Sequence, residues 1–100
     1  MPSLDLLSKA ISPIADELGL QRVIVFGSYA RGEQSESSDI DLVIDSGGAL
    51  KGGKLFSAIY KIDNVIPLNT DIFELSEVKN PSETYSAIMR EGVVIYERNR

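Results

Sequence analysis

The residue pattern predicts an α+β domain, a small mixed sheet of about four strands flanked by helices. Three observations predict it. Apolar runs of strand length occur at Val23 to Phe26, Ile40 to Asp45, within Val65 to Leu75, and at Val93 to Tyr96. Hydrophobic residues at helical spacing fill the stretches before and between them. The first run is apolar at every position, as expected of a strand covered on both faces. At 100 residues the chain reads as one domain, residues 1–100, large enough for a single core but too small for a second substrate-binding lobe.

In chain order, Leu4, Leu7, Ile11, Ile14 and Leu18 recur at helical spacing behind Ser3, an N-cap residue type, so residues 4–18 should be mostly helical. Pro13 should kink this helix or break it, with Ser12-Pro13 capping a second short one. Gly19 should end it. After the strand at Val23 to Phe26, Gly27-Ser28 turns the chain into a helical turn over 28–31. The first backbone N–H groups of such a turn are unpaired and can hold an anion, with help from the Ser28 hydroxyl. Glu33 to Ser38 is a polar connection to the second strand, which begins at Asp39 or Ile40 and ends near Asp45.

Ser46-Gly47-Gly48 closes that strand, and Leu55, Phe56, Ile59 and Ile62 mark one face of a helix over about residues 50–61, weakened at its start by Gly52 and Gly53. The next strand lies within Val65 to Leu75, with Pro67 near its start. Asn80 as N-cap, Pro81 at the first position and Glu83 three residues after the cap predict another helix. Tyr85, Ile88 and Met89 share one of its faces, Gly92 stops it, and Val93 to Tyr96 is the closing strand.

Composition removes whole classes of chemistry. With no cysteine and no histidine, disulfides, thiolate or imidazole metal sites and histidine-based catalytic triads are excluded. No apolar run approaches the roughly 20 residues that span a bilayer, and the first residues lack the form of a signal peptide, so the expected setting is cytoplasmic with no membrane partner. A formal net charge of −5 opposes sequence-independent binding to nucleic acid and suits cations or a basic protein partner.

The chemistry is concentrated in acidic residues. Asp39 and Asp41 open the second strand, and because side chains alternate faces they point the same way, opposite Ile40, Leu42 and Ile44. Asp45 shares their face further along and should be peripheral. Asp71 interrupts an otherwise strand-like run, which is costly unless it meets solvent, a partner or a metal, and it is the natural third carboxylate. Three carboxylates and magnesium suffice for phosphoryl or nucleotidyl transfer, which needs positioning and charge neutralisation more than a covalent nucleophile. Gly48 to Lys54 has the spacing of a P-loop, but Leu55 stands where a magnesium-binding Ser or Thr belongs. An EF-hand fails because Val43 and Ile44 occupy ligand and glycine places.

The joint pattern, Phe26-Gly-Ser-Tyr-Ala-Arg-Gly32, Ser38-Asp-Ile-Asp-Leu-Val43, Asp71-Ile-Phe and Arg90-Glu-Gly-Val-Val-Ile-Tyr96, resembles the nucleotidyltransferase superfamily that includes DNA polymerase beta, and within it the minimal nucleotidyltransferases. The resemblance implies a polymerase beta-like fold. It further implies that Gly27 and Ser28 hold nucleotide phosphates, that Asp39, Asp41 and Asp71 bind magnesium as a pair of ions, and that Arg31 contacts phosphate or anchors the turn. By the same resemblance the partner is a HEPN-type toxin, the activity transfer of AMP from ATP to a tyrosine of that toxin, and the role that of an antitoxin. Two alternatives stand beside it: an antitoxin that neutralises by binding alone, and a nucleotidyltransferase acting on an antibiotic, for which a homo-oligomer would have to build the acceptor pocket.

Overall fold

The computed structural model describes residues 3–32 and 39–98. Among them the elements run α1 (Leu4–Leu18), β1 (Arg22–Phe26), β2 (Ile40–Asp45), α2 (Gly53–Val65), β3 (Thr70–Glu74), a 3-10 turn (Leu75–Glu77), α3 (Glu83–Glu91) and β4 (Val93–Glu97). The strands form one mixed sheet in the order β3-β2-β1-β4, with β2 and β3 parallel and the other pairs antiparallel. The expected connection Glu33 to Ser38 lies outside the described residues.

Ser3 caps α1 as its type suggests, its hydroxyl accepting from Leu6 N at 3.2 Å. Gly19 ends the helix at φ 69°, a left-handed conformation that glycine adopts without a Cβ clash, and its N–H donates to the Asp16 carbonyl. Contrary to the expected second short helix, α1 is a single element with Pro13 inside it. Pro13 is exposed, and the Ser12 hydroxyl donates to the Ser8 carbonyl one turn back, so α1 stays tied to its preceding turn beside the ring. Leu7, Ile11 and Ala15 form the buried stripe.

The sheet is covered unequally on its two faces. Val23, Val25, Ile40, Leu42, Ile44 and Ile95 pack into the main core with the apolar faces of α1 and α2. On the other face a smaller cluster of Ile24, Val43, Leu75 and Ile88 sits under α3 and the 3-10 turn. The apolar run of β1 is therefore buried on both sides, as its composition predicts.

Several boundaries differ from expectation for local reasons. α2 starts at Gly53 and runs to Val65, because Gly52 takes φ 56° and stays outside the helix. Phe56, placed on its inner face by sequence, is 75% exposed, while Leu55 and Ala58 take the inward positions. α3 begins at Glu83 rather than Pro81, because the Ser82 hydroxyl, not the Asn80 side chain, accepts from the helix at Tyr85 N, 3.0 Å away. Met89, expected beside Tyr85 and Ile88, is exposed. Pro67 lies ahead of β3 rather than within its start. Among the described residues no helix is long and apolar enough to cross a membrane.

Candidate active site

Register brings the predicted site residues to one end of the sheet. β1 ends there at Phe26, paired with Asp41, and Asp41 in turn pairs with Asp71 across the parallel β2–β3 ladder. Side chains in register on adjacent strands project to the same face, so Asp41 and Asp71 stand side by side. Asp39 precedes β2 and is exposed rather than forming part of the strand. The Ile40 N–H donates to the Asn69 carbonyl at 2.9 Å, fixing the backbone between Asp39 and Asp41 to the segment that leads into β3.

Beyond Phe26 the chain turns at Gly27, whose φ of 79° favours glycine. Over residues 27–32 the predicted helical turn is a closed turn: Arg31 N donates to the Gly27 carbonyl at 3.2 Å and Gly32 N to the Tyr29 carbonyl at 3.3 Å. Tyr29 is buried in the main core and anchors this turn, leaving Ser28 half-buried and Arg31 exposed above it. A Cβ on Gly27 would fall onto Asp41 Oδ2, so any larger residue there would have to displace that carboxylate.

The electrostatics follow from this crowding. The pKa of Asp41 is raised above the usual carboxylate value, first by burial and then by the negative charges of Asp71 and Asp39, while Arg31 opposes the shift. Arg31 also faces Glu91 of α3, with NH1 3.8 Å from Oε1. Glu91, whose second oxygen accepts from Arg90 at 3.0 Å, received no role from sequence; it lies sixty residues from Arg31, and no local pattern reports such a pairing.

Oxygen donors crowded at the mouth of a glycine turn suit a hard divalent cation. Among the described residues no three acidic side chains converge closely enough to share an ion on their own. Magnesium is commonly held by one or two carboxylates together with substrate phosphates, and the Asp41–Asp71 pair beside the Gly27 turn fits that pattern. Asp45, on the same strand face but at the far end, is instead paired with Arg22 at 2.9 Å and is remote from this chemistry. In the P-loop-like stretch Leu55 is buried in the core and offers no oxygen to a metal. A shallow concavity of about 610 Å³ runs along α3, lined by Pro81, Ser82, Glu83, Ser86, Ala87 and Arg90, and none of the three aspartates lines it.

Comparison with known proteins agrees with this fold. Residues 9–100 match the family model described as polymerase beta, nucleotidyltransferase. A protein of Methanocaldococcus jannaschii named as a candidate protein adenylyltransferase is 32% identical over 72 residues, covering 72% of this chain and 77% of the relative. The protein adenylyltransferase MntA of Thermococcus cleftensis is 28% identical over 82 residues, covering 82% and 81%. Among solved structures, a toxin–antitoxin complex with AMP-PNP superposes with a TM-score of 0.75 at 19% identity, covering 91% of this chain and 73% of the other. A tri-AMPylated Shewanella oneidensis HEPN toxin in complex with its MNT antitoxin gives 0.70 at 16%, covering 95% and 73%. These structures share the fold, and the family model spans nearly the whole sequence, so the chain belongs to the polymerase beta nucleotidyltransferase family.

Proposed function

We propose that the chain is a magnesium-dependent nucleotidyltransferase serving as the antitoxin of a HEPN-type toxin, and that it transfers AMP from ATP to a tyrosine of that partner in the cytoplasm. The observation that carries this reading is the Asp41–Asp71 pair, two like charges held in register on adjacent strands, with Asp41 against the Gly27 backbone. Burial first, and then the neighbouring negative charges, raise the pKa of Asp41, and a divalent cation would offset both. Relatives named protein adenylyltransferases, and neighbours in fold seen with a HEPN toxin and with AMP-PNP, support the same reading.

In this mechanism Asp41 and Asp71, with Asp39 beside them, would hold the magnesium ions together with the phosphates of the nucleotide. When bound, these ions neutralise phosphate charge and make the attacking hydroxyl easier to deprotonate. Gly27 admits the phosphates close to the backbone, and Ser28 donates its hydroxyl to them. Arg31 adds positive charge on the phosphate side of Asp41. Asp71, exposed at the edge of the sheet, accepts the proton of the incoming hydroxyl.

Incubation with ATP, Mg2+ and a HEPN-type partner should add one or more AMP units to the partner, read by intact mass. Asp39→Asn combined with Asp41→Asn should slow transfer by roughly a thousandfold or more. Wild-type protein that adds no AMP, or a double variant that adds it equally fast, rejects the proposal. Toxicity that stays suppressed in the double variant without any labelling assigns the chain to neutralisation by binding alone.

A further inference from the structure

The sheet order sets out the reaction from one side to the other. The Gly27-Ser28 turn follows β1, Asp41 stands on β2 in the middle, and Asp71 stands on β3 at the edge. An attacking hydroxyl must approach roughly in line with and opposite to the leaving pyrophosphate. With the phosphates at β1, the acceptor therefore comes in over β3.

One side chain on that approach has no role in the core. Phe73 lies two residues after Asp71 and so on the same face of β3. Its in-register neighbour Val43 is fully buried in the cluster with Leu75 and Ile88, whereas Phe73 is 47% exposed. β3 is an edge strand, and α3 packs on β1, two strands away. A phenylalanine ring thus stands open to solvent beside the carboxylate that the proposed mechanism uses to take up the acceptor's proton.

We propose that Phe73 is the acceptor platform, the residue against which the ring of the partner's tyrosine packs while its hydroxyl is delivered to Asp71. This rests on the nucleotidyl-transfer reading above. Two residues along a strand span about 7 Å, comparable with the reach of a tyrosine from backbone to hydroxyl. Ring-on-ring packing also prefers offset or edge-to-face arrangements, which limit how the phenol is presented. In the step itself the tyrosine oxygen forms a bond to the α-phosphorus of ATP and the bond to pyrophosphate breaks. The phenolic proton passes to Asp71 and then to water, and pyrophosphate leaves with the bonding electron pair.

The test compares the full chain with Phe73→Ala and, as a control on the opposite side of the sheet, Phe56→Ala. Initial rates of AMP transfer are measured over a range of HEPN-type partner concentrations, with magnesium-ATP affinity measured separately by calorimetry and folding by thermal melting. Phe73→Ala should lower kcat/KM for the partner roughly ten- to a hundredfold, leaving ATP affinity unchanged. Phe73→Leu should recover part of the loss, and Phe56→Ala should behave as wild type. Transfer by Phe73→Ala at wild-type efficiency overturns the inference and leaves the transferase reading standing, as does a parallel loss of ATP affinity or an equal loss in Phe56→Ala. Wild type that transfers nothing overturns both.

Discussion

Asp41 and Asp45 lie on the same face of the same strand, four residues apart, and meet opposite surroundings. At the far end of β2, Asp45 accepts two hydrogen bonds from the Arg22 guanidinium and one from Gly47 N, and Glu74 on the neighbouring strand is 1% exposed with its carboxylate bonded to Ser46 and Ser76. At the near end, Asp41 has a like charge as its neighbour in register and a pKa pushed upward. Carboxylates that serve the fold are supplied with donors, whereas those with no donor among the described residues and placed together are the ones suited to a cation.

The glycines at the two ends of β2 test this contrast most severely. Gly27 and Gly48 have similar positive φ angles, 79° and 83°. Around Gly48 no atom of the described residues lies within 4 Å of an added Cβ, whereas at Gly27 the added Cβ meets Asp41 Oδ2. Both Ala variants carry a left-handed strain of about 1–2 kcal/mol. Only Gly27→Ala must also displace a site carboxylate, and it should slow AMP transfer by roughly a hundred- to a thousandfold. Gly48→Ala should lose stability alone. Equal transfer rates for the two variants, measured on folded protein, would sink the claim that Gly27 is required for contact with Asp41 rather than for its turn.

At the donor-rich end the expected effect lies in stability. Glu74 accepts from Ser46 Oγ at 2.7 Å, Ser46 N at 3.2 Å and Ser76 N at 2.9 Å, so Glu74→Ala strands three donors in or beside the core. The cost should be about 2–3 kcal/mol in urea unfolding, with ATP affinity retained in the folded fraction. Glu74→Gln, which keeps an acceptor oxygen, should lose less. A loss below about 0.5 kcal/mol for the alanine variant would mean that water replaces the carboxylate.

The same contrast explains what could be read from sequence. Alternation along a strand sends Asp41 and Ile40 to opposite faces whatever surrounds them, and Gly27-Ser28 announces a turn by its own chemistry. Asp71 was legible as a charge in a strand-like run. Glu74 stands in that run too, and nothing local separates an exposed aspartate from a buried glutamate three residues later; the bonds to Ser46, twenty-eight residues away, do that. The start of α3 was misplaced because Asn80 and Ser82 are both capping types, and only the folded backbone selects Ser82. Phe56 sits in a hydrophobic pattern that predicts burial and is exposed by the path of α2, while Phe73, on the face of Asp71, is exposed by its place on the edge strand.

The smallest expected effect is the most direct measure of crowding at the site. Because the folded pKa of Asp41 lies above its ordinary value of 3.8, the native state holds a proton that the unfolded chain has already released in the window between the two. Stability therefore falls as pH rises through that window and stays lower above it. Asp41→Asn removes the titration, so without magnesium it should melt like wild type at low pH and slightly higher near neutrality, by roughly a degree or two given partial screening by solvent. Adding Mg2+ should narrow the gap by stabilising wild type, because a cation bound only by the native state shifts the folding equilibrium. Melting curves in chelator across pH provide the check. Wild type and Asp41→Asn that stay parallel over the whole range would show that burial and the charges of Asp71 and Asp39 leave Asp41 unstrained, and the near end of β2 would then differ from the far end in chemistry but not in energy.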